Sequence, residues 1–379
     1  MTDTRRALLD ALAAGPVSGP ALADSLGVSR AAVWKQVEAL RGEGFGIESD
    51  GSGYRIASLP EYGGAAIEYG LDAPYAVEYH DSIGSTNDRA RELAAEGAAD
   101  VAVVADEQTG SRGRLDRPWS SPAGGVWLSL VLRPSRPPSH VPAFTLAAAV
   151  ATTRAAREVG VDAGIKWPND VLVSETSEGT PEAESGGVLV SDANEGKSEA
   201  NSDRVLVSET SEGTPEAESG GVLVSDANGG KSDVKSGEKE AFSDRGGRKL
   251  AGVLTEMEGE ADRVSWLVVG VGVNANVDAA DLPARATSLL EERGEPVDRR
   301  AFVQRLLSEL HRLRERPEEV LPAWREHALT LGRRVRVDTP GGTIEGEAID
   351  VEFPGALVVR TSEGEETVYA GDCEHLRPA

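Results

Sequence analysis

The chain has 379 residues, with 64 acidic against 39 basic side chains and a formal charge of −25. Its single cysteine, Cys373, excludes a disulfide framework and a cysteine metal cluster, and its five histidines show no ligand spacing. No apolar run approaches the roughly 18 residues of a membrane span, and the apolar stretch after Arg5 and Arg6 is broken by Asp10, too short for a signal peptide, so a soluble cytoplasmic protein is expected. Only seven residues are lysine, and arginine carries most of the positive charge. An acidic excess of this kind suits a halophilic interior, where salt screens self-repulsion.

The first 57 residues predict a compact helical unit. Residues 5–13 are apolar at Leu8, Leu9 and Leu12, Gly15-Pro16 breaks the run, and Ser18 can cap a second helix through Leu26. Gly27 turns the chain, Ser29 caps again, and Ala31, Val33, Val37 and Leu40 give the next helix a buried stripe. Residues 45–56 then alternate around a Gly-rich turn, as a two-stranded ribbon does. Helix, helix, turn, helix and ribbon together resemble a winged helix-turn-helix DNA-binding domain, with Arg30, Lys35 and Arg41 on or beside the helix that would meet phosphates. A winged helix used for protein contact stays open, because residues 1–57 carry 6 positive and 7 negative side chains and no basic footprint.

Residues 58–74 read as a linker. A strand at 77–80 leads into Ser85-Thr86-Asn87 at the start of a helix, three small polar side chains suited to a neutral polar ligand head or simply to capping. The strand at 101–105 runs into residues 106–122, where Gln108, Arg112, Gly113, Arg114, Arg117 and Trp119 share one irregular segment. Glycine lets the backbone approach an anion, guanidinium forks match phosphate or carboxylate oxygens, and Trp119 offers a face for a base. A strand at 125–133 and an Ala-rich helix at 143–159 follow.

Next come two segments that belong together but stand apart, residues 165–173 with Lys166-Trp167-Pro168-Asn169-Asp170, and residues 248–256 with Lys249. As strand, turn, strand they would bring Asn, Asp and Lys to one site. Between them, residues 174–247 hold 17 acidic and 6 basic side chains, and the run 171–194 recurs unchanged at 205–228. Such a composition buries too little apolar surface to repay ordering, so a disordered insertion is expected, with strand pairing of Gly187-Val188-Leu189-Val190 and its copy as the other reading. Closure entropy grows only logarithmically with loop length, so a hairpin can carry it. Outside the insertion only Lys35, Lys166 and Lys249 remain, which marks Lys166 and Lys249 as candidates for chemistry or support. A buried strand at 264–273 ends in Gly270-Val271-Gly272-Val273-Asn274, a Gly-x-Gly without the third glycine of a dinucleotide fingerprint, which marks close approach of backbone to a ligand.

Taken in order, Gly84-Ser85-Thr86-Asn87, the Arg112-Gly113-Arg114 loop ending at Trp119, Lys166-Trp167-Pro168-Asn169-Asp170, Arg248-Lys249-Leu250-Ala251-Gly252 and Val271-Gly272-Val273-Asn274 are similar to the biotin protein ligase family across most of residues 75–330. The front domain resembles that of the bifunctional members, which also repress biotin operons. The strand-rich tail, residues 331–379, resembles the family's small SH3-like β-barrel. The resemblance implies an α+β chain: a winged helix-turn-helix at 1–57, a central mixed-sheet α/β catalytic domain of the biotin/lipoate ligase type at 75–330, and the C-terminal barrel. It further implies a biotin–[acetyl-CoA-carboxylase] ligase that makes biotinyl-adenylate from ATP and biotin, with Mg2+, and passes biotin to a lysine of the biotin carboxyl carrier domain of an acyl-CoA carboxylase. Biotin would be held by Ser85, Thr86, Asn87, Gln108, Arg112, Gly113, Arg114 and Lys249. ATP would be held by Arg112, Arg117, Trp119, Asn169 and Asn274. Lys249, Arg114 and Asp170 would carry the chemistry, no metal being fixed by protein groups alone. Binding to a biotin operator and a homodimer formed through the central sheet are implied as well. Two departures from the family pattern, Ser111 and Asp116 where glycine is usual, imply a stiffer or less positive loop. A lipoate-type ligase would share fold and adenylate chemistry, against which the Trp-Pro-Asn-Asp segment and the winged helix stand. A non-catalytic biotin-sensing DNA-binding regulator is the other reading, against which Lys249 and Arg114 stand.

Overall fold

The computed structural model describes residues 3–174 and 247–376. The expected insertion at 174–247 lies outside them except for its end residues, Ser174 and Gly247. No helix among the described residues is long and apolar enough to cross a membrane.

The chain opens with helices α1 (Asp3–Ala13), α2 (Gly19–Leu26) and α3 (Arg30–Gly42), then an antiparallel ribbon of β1 (Gly46–Asp50) and β2 (Gly53–Ser58). The Ser18 and Ser29 hydroxyls accept the N–H groups of Ala21 and Ala32, and Gly27 ends α2 in the left-handed conformation that glycine adopts without strain. Leu8, Leu9, Leu12, Leu22, Val33, Val37 and Leu40 close a core against Phe45 and Ile47, the winged helix-turn-helix arrangement that their spacing predicts.

Residues 58–74, expected as a linker, are packed. Helix α4 (Gly64–Glu68) sends Ala65 and Ala66 into the N-terminal core and Ile67 into the central one. The buried Glu68 carboxylate accepts the Val77 N–H at 2.6 Å, which fastens this helix to the next strand.

The central unit runs β3 (Ala76–Ile83), α5 (Thr86–Ala95), β4 (Val101–Gln108), β5 (Val126–Leu132), α6 (Val141–Glu158), β6 (Ala163–Lys166), β7 (Asp170–Val173), β8 (Arg248–Gly259), β9 (Val264–Val273), α7 (Leu289–Arg293), α8 (Arg299–Glu315) and α9 (Val320–His327). Its strands form one sheet in the order β3-β4-β5-β9-β8-β7-β6, parallel between β3 and β4 and antiparallel elsewhere. The period of two sorts each strand's side chains. In β9, Val269, Val271 and Val273 join the large core beneath α6 and α8, whereas Val268 packs with Ala90 and Ala94 of α5 on the opposite face. Gly270 and Gly272 therefore lie on the α5 face, beside the end of α5 where Thr86 and Asn87 begin the helix. In β5, likewise, Leu128 and Leu130 face the large core while Trp127, Ser129 and Val131 face α5's side.

The two distant segments do pair. β7 lies beside β8 with Val173 opposite Arg248 and Asp170 opposite Gly252. The first segment is itself a hairpin, β6 and β7 joined through Trp167-Pro168-Asn169, so the expected single hairpin is a three-strand meander.

The tail forms β10 (Arg334–Thr339), β11 (Gly342–Glu352), β12 (Ala356–Arg360), β13 (Glu365–Val368) and β14 (Asp372–His375). The expected barrel is an antiparallel sheet of these five strands, in the order β13-β12-β11-β10-β14, and among the described residues no ladder joins its outer strands. It continues the central core: Val335, Val337, Leu357 and Val359 cluster with it, and the Trp167 indole N–H donates to Gly355 O at 2.9 Å.

Candidate active site

A cavity of about 500 Å3 opens on the α5 face of the central sheet, between the start of α5, residues 111–119, the turn between β6 and β7, and residues 283–286. It gathers Ser85, Thr86, Asn87 and Gln108 at one end and Arg112, Gly113, Arg114, Arg117 and Trp119 along one wall. Lys166, Asn169, Asp170, Lys249 and Asn274 complete it, so every ligand and catalytic residue expected in the central domain lines one space.

The polar end is a closed hydrogen-bond network. Gln108 Oε1 accepts from the Thr86 N–H at 2.8 Å and from the Thr86 hydroxyl at 2.9 Å, while its amide donates to Ser121 Oγ at 3.2 Å. The Ser129 hydroxyl lies 2.8 Å from Thr86 Oγ1 and 2.5 Å from Asn87 Oδ1, and the Asn87 amide donates to Glu256 at 2.7 Å. Ser85 caps α5 through the Asp88 N–H. The network needs the bare glycine in β9, because a Cβ at Gly270 would stand 2.2 Å from Asn87 Oδ1. Ser129, Ser121 and Glu256 were missed from the sequence. Ser129 carried a signal, as the single polar residue in the apolar strand Val-Trp-Leu-Ser-Leu-Val-Leu.

The charged end is built on Lys249. Its ammonium lies 2.7 Å from Asp170 Oδ1 and 4.7 Å from the centre of the Trp119 ring, which seats the charge between a carboxylate and an aromatic face. Trp119 reaches this place because β8 and β9 present glycine beneath it. A Cβ at Gly252 would meet its ring at 3.3 Å, and one at Gly272 its indole nitrogen at 3.1 Å. The Gly-x-Gly of β9 thus admits Asn87 and Trp119, two residues of the site itself.

Arg114 spans the site, donating to Asn169 Oδ1 at 3.2 Å and to Gly371 O at 2.9 Å. Arg112 pairs with Asp88 at 2.7 Å and Arg117 with Asp372 at 2.7 Å. Ser111 donates to Trp119 O at 2.6 Å and lies 2.7 Å from Ser121 Oγ, contacts that glycine could not supply. The side chain of Asp116 lies outside the described ones. The Asn169 amide donates to Val253 O at 2.8 Å, and that of Asn274 to Thr287 O at 2.9 Å, so both asparagines also anchor backbone. Gly371 and the carboxylates of the C-terminal sheet were not anticipated at this site, since contacts across 257 positions leave no local pattern.

Away from the cavity, Arg30 and Lys35 stand exposed on α3. Arg41 does not: its guanidinium donates to Ile47 O at 2.7 and 3.0 Å and to Glu38 at 2.6 Å, which ties the ribbon to the helix.

Comparison with known proteins agrees with this layout. Residues 4–55 match a family model described as HTH domain, residues 79–186 the Biotin/lipoate A/B protein ligase family, and residues 330–376 the Biotin protein ligase C terminal domain. The Bifunctional ligase/repressor BirA of Bacillus subtilis is 32% identical over 377 residues, covering 94% of this chain and 93% of the relative. The protein of the same description from Escherichia coli is 24% identical, over 90% and 87% of the two chains. Among solved structures, the Aquifex aeolicus biotin protein ligase in complex with biotin and ATP superposes with a TM-score of 0.52 at 21% identity, over 80% of this chain and 99% of that one, a likeness of fold.

Proposed function

Because the chain belongs to the biotin protein ligase family, in the bifunctional form with an N-terminal helix-turn-helix domain, we propose that its cavity joins biotin to ATP and passes the activated biotin to a carrier lysine. In the first step a biotin carboxylate oxygen attacks the α-phosphorus of ATP, the bond to the β-phosphate oxygen breaks, and pyrophosphate leaves with the electron pair. In the second, the carrier's ε-amine attacks the acyl carbon, AMP leaves, and the amine loses its proton as the amide forms.

The observation that carries the reading is the joining of a neutral polar end to a strongly cationic one within a single cavity. Biotin's ureido ring is uncharged and needs both donors and acceptors. Thr86, Asn87 and Gln108, braced by Ser129 and Ser121, supply hydroxyl and amide groups of both kinds. Ser85 shapes that end through its cap.

The carboxylate and the α-phosphate repel each other as they meet, and Lys249, Arg112 and Arg114 would offset that repulsion and stabilise the charge spread over the phosphoryl oxygens. Asp170 holds Lys249 in place at 2.7 Å, and in the second step it can take the proton of the attacking amine. Trp119 gives the adenine a flat face, Arg117 a cation for the phosphates, and Asn274 fixes residues 283–287 around the nucleoside. Asn169 and Asp170 offer one amide and one carboxylate oxygen, a donor set that fits Mg2+ held chiefly by phosphate oxygens and water. Such an ion supplies charge neutralisation on the transferring phosphoryl group.

The expected carrier is the biotin carboxyl carrier domain of an acyl-CoA carboxylase, and the expected setting is a halophilic cytoplasm, to which the charge of −25 is suited. Arg30 and Lys35 on exposed α3 support a second role as a biotin-responsive repressor, and a homodimer is proposed for the operator-bound form.

Pyrophosphate release from ATP, in high-salt buffer with biotin or with lipoate, tests the reading. Biotin-dependent release is expected, and Lys249→Ala should lower it by about 100-fold or more. Release with lipoate alone would move the protein to the lipoate-type ligases, and biotin binding without release would make it a sensor.

A further inference from the structure

The loop of residues 111–119 is tied to the C-terminal sheet by two of its arginines, and the partners are consecutive residues. Arg114 donates to Gly371 O at 2.9 Å, and Arg117 meets the Asp372 carboxylate at 2.7 Å, where the chain enters β14. Gly371 itself packs closely on β10, where a Cβ would stand 2.6 Å from Val337 Cγ1 and 2.9 Å from Asp338 O.

Between the two arginines, Leu115 takes a φ of 56°, a left-handed conformation that a leucine seldom adopts. Its side chain is 78% exposed, so its own packing does not offset that strain. The turn is closed by its own backbone, the Gly113 N–H donating to Arg117 O at 2.8 Å, and is fastened from outside by Arg114 and Arg117 to the C-terminal residues that receive them. Burial raises the Asp372 pKa, but the hydrogen bond from Arg117 and the charges of Arg117, Arg114 and Lys166 outweigh it, and the carboxyl lies below its ordinary range. The anion that Arg117 grips is therefore present at neutral pH. Asp372 also lines the cavity, together with Cys373 and Glu374 of the same strand.

We propose that Asp372 is a positioning residue of the ligation reaction: through Arg117, and together with the Gly371 carbonyl held by Arg114, it keeps the arginine loop shut over biotinyl-adenylate until the carrier lysine arrives. This rests on the ligase reading. The intermediate is a mixed anhydride that water would hydrolyse in solution, so an enzyme that parks it between two steps gains from slow release. The partners of Arg114 and Arg117 are distinct from those of the biotin-ring network, so the latch sets retention rather than recognition of the ring.

Two measurements on the full chain test it. In the first, ligand-free protein is digested briefly with trypsin, and cuts after Arg112 and Arg114 are followed by mass spectrometry, since Pro118 blocks cleavage after Arg117. Asp372→Asn should speed cleavage in this loop without moving the thermal midpoint, and Asp372→Glu should restore the slow rate. In the second, preformed biotinyl-adenylate is chased with excess biotin, and Asp372→Asn should release it roughly fivefold faster, the scale expected for a half-exposed ion pair. In an Arg117→Gln background the same substitution should add nothing. Unchanged cleavage and release in Asp372→Asn would overturn the proposal, as would an equal acceleration with Arg117 already replaced. If the wild type formed no adenylate, the ligase reading would fail, while the digestion would still decide whether Asp372 holds the loop.

Discussion

Gly270 is retained in β9 for the sake of a side chain that is not its own. A methyl group there would stand 2.2 Å from Asn87 Oδ1, inside the network that prepares the biotin-ring end, whereas one at Gly272 would press less severely on Trp119 at 3.1 Å. Gly270→Ala is therefore expected to raise the KM for biotin about tenfold or more, corresponding to an overpacking cost of roughly 1–3 kcal/mol, and Gly272→Ala to act more mildly and on ATP. Steady-state kinetics with each substrate varied in turn would check the split.

His375 makes a second prediction at this scale. Burial, then the charges of Lys166 and Arg333, depress its pKa from 6.5 to about 3, and its neutral Nε2 lies 3.0 Å from the Thr330 hydroxyl that also accepts the Trp167 N–H. Between those values the unfolded chain takes a proton that the folded one refuses. The stability is fully present above 6.5 and is lost as pH falls toward 3, by up to about 1.4 kcal/mol per unit. Chemical denaturation at pH 7.5 and 5.0 should thus show a smaller loss for His375→Gln than for the wild type. Much of the site could be read directly, because Ser85 to Asn87, the arginine loop, Asp170 and Lys249 each lie in short segments with unusual chemistry. Glu256 and Asp372 could not: each is one acid among 64, and only the fold brings Glu256 to Asn87 and Asp372 to the cavity.

Among the elements, the winged helix shows how composition misleads about contact. Arg30, Lys35 and Arg41 look equivalent in the sequence, yet Arg41 is spent on Ile47 O and Glu38 and holds the ribbon. Replacing Arg30 or Lys35 by alanine should each reduce the slope of log affinity against log salt for operator DNA by about 1. Arg41→Ala should instead lower the stability of the N-terminal unit and leave that slope nearly unchanged, as titrations at several salt concentrations would reveal. Helix and strand periods made this unit legible, since Ser18, Ser29 and the Leu and Val stripe are local signals. Helix α4 was hidden because its Ala-Ala-Ile-Glu run is short and sits among glycines, and its burial comes from two cores that the local sequence does not display. The same limit applies to the C-terminal residues, whose strand-rich character could be anticipated but whose open order could not.

For the whole molecule, the insertion is the largest departure from a compact ligase, and the ladder between β7 and β8 defines its consequence. Val173 and Arg248 are paired neighbours, so the chain leaves and re-enters the sheet at almost the same point. Replacing residues 175–246 by a short Gly-Ser turn should keep biotin-dependent pyrophosphate release within about twofold of the wild type, because loop length changes closure free energy only logarithmically. A larger loss would assign the segment a part in the reaction, and the assay in high salt would measure it.

Where β7 meets β8, a hydrogen-bonded ladder joins Val173 to Arg248, residues 75 positions apart in the chain. Residues before the insertion supply Thr86, Gln108 and the arginine loop, while those after it supply Lys249, both glycines of β9 and Asp372. Neither portion holds a complete active site, yet the two meet along the β5–β9 and β7–β8 ladders. Cutting the chain between Ser174 and Gly247 would therefore convert one polypeptide into a two-part enzyme that reports, by labelling its carrier, whether its halves have found each other.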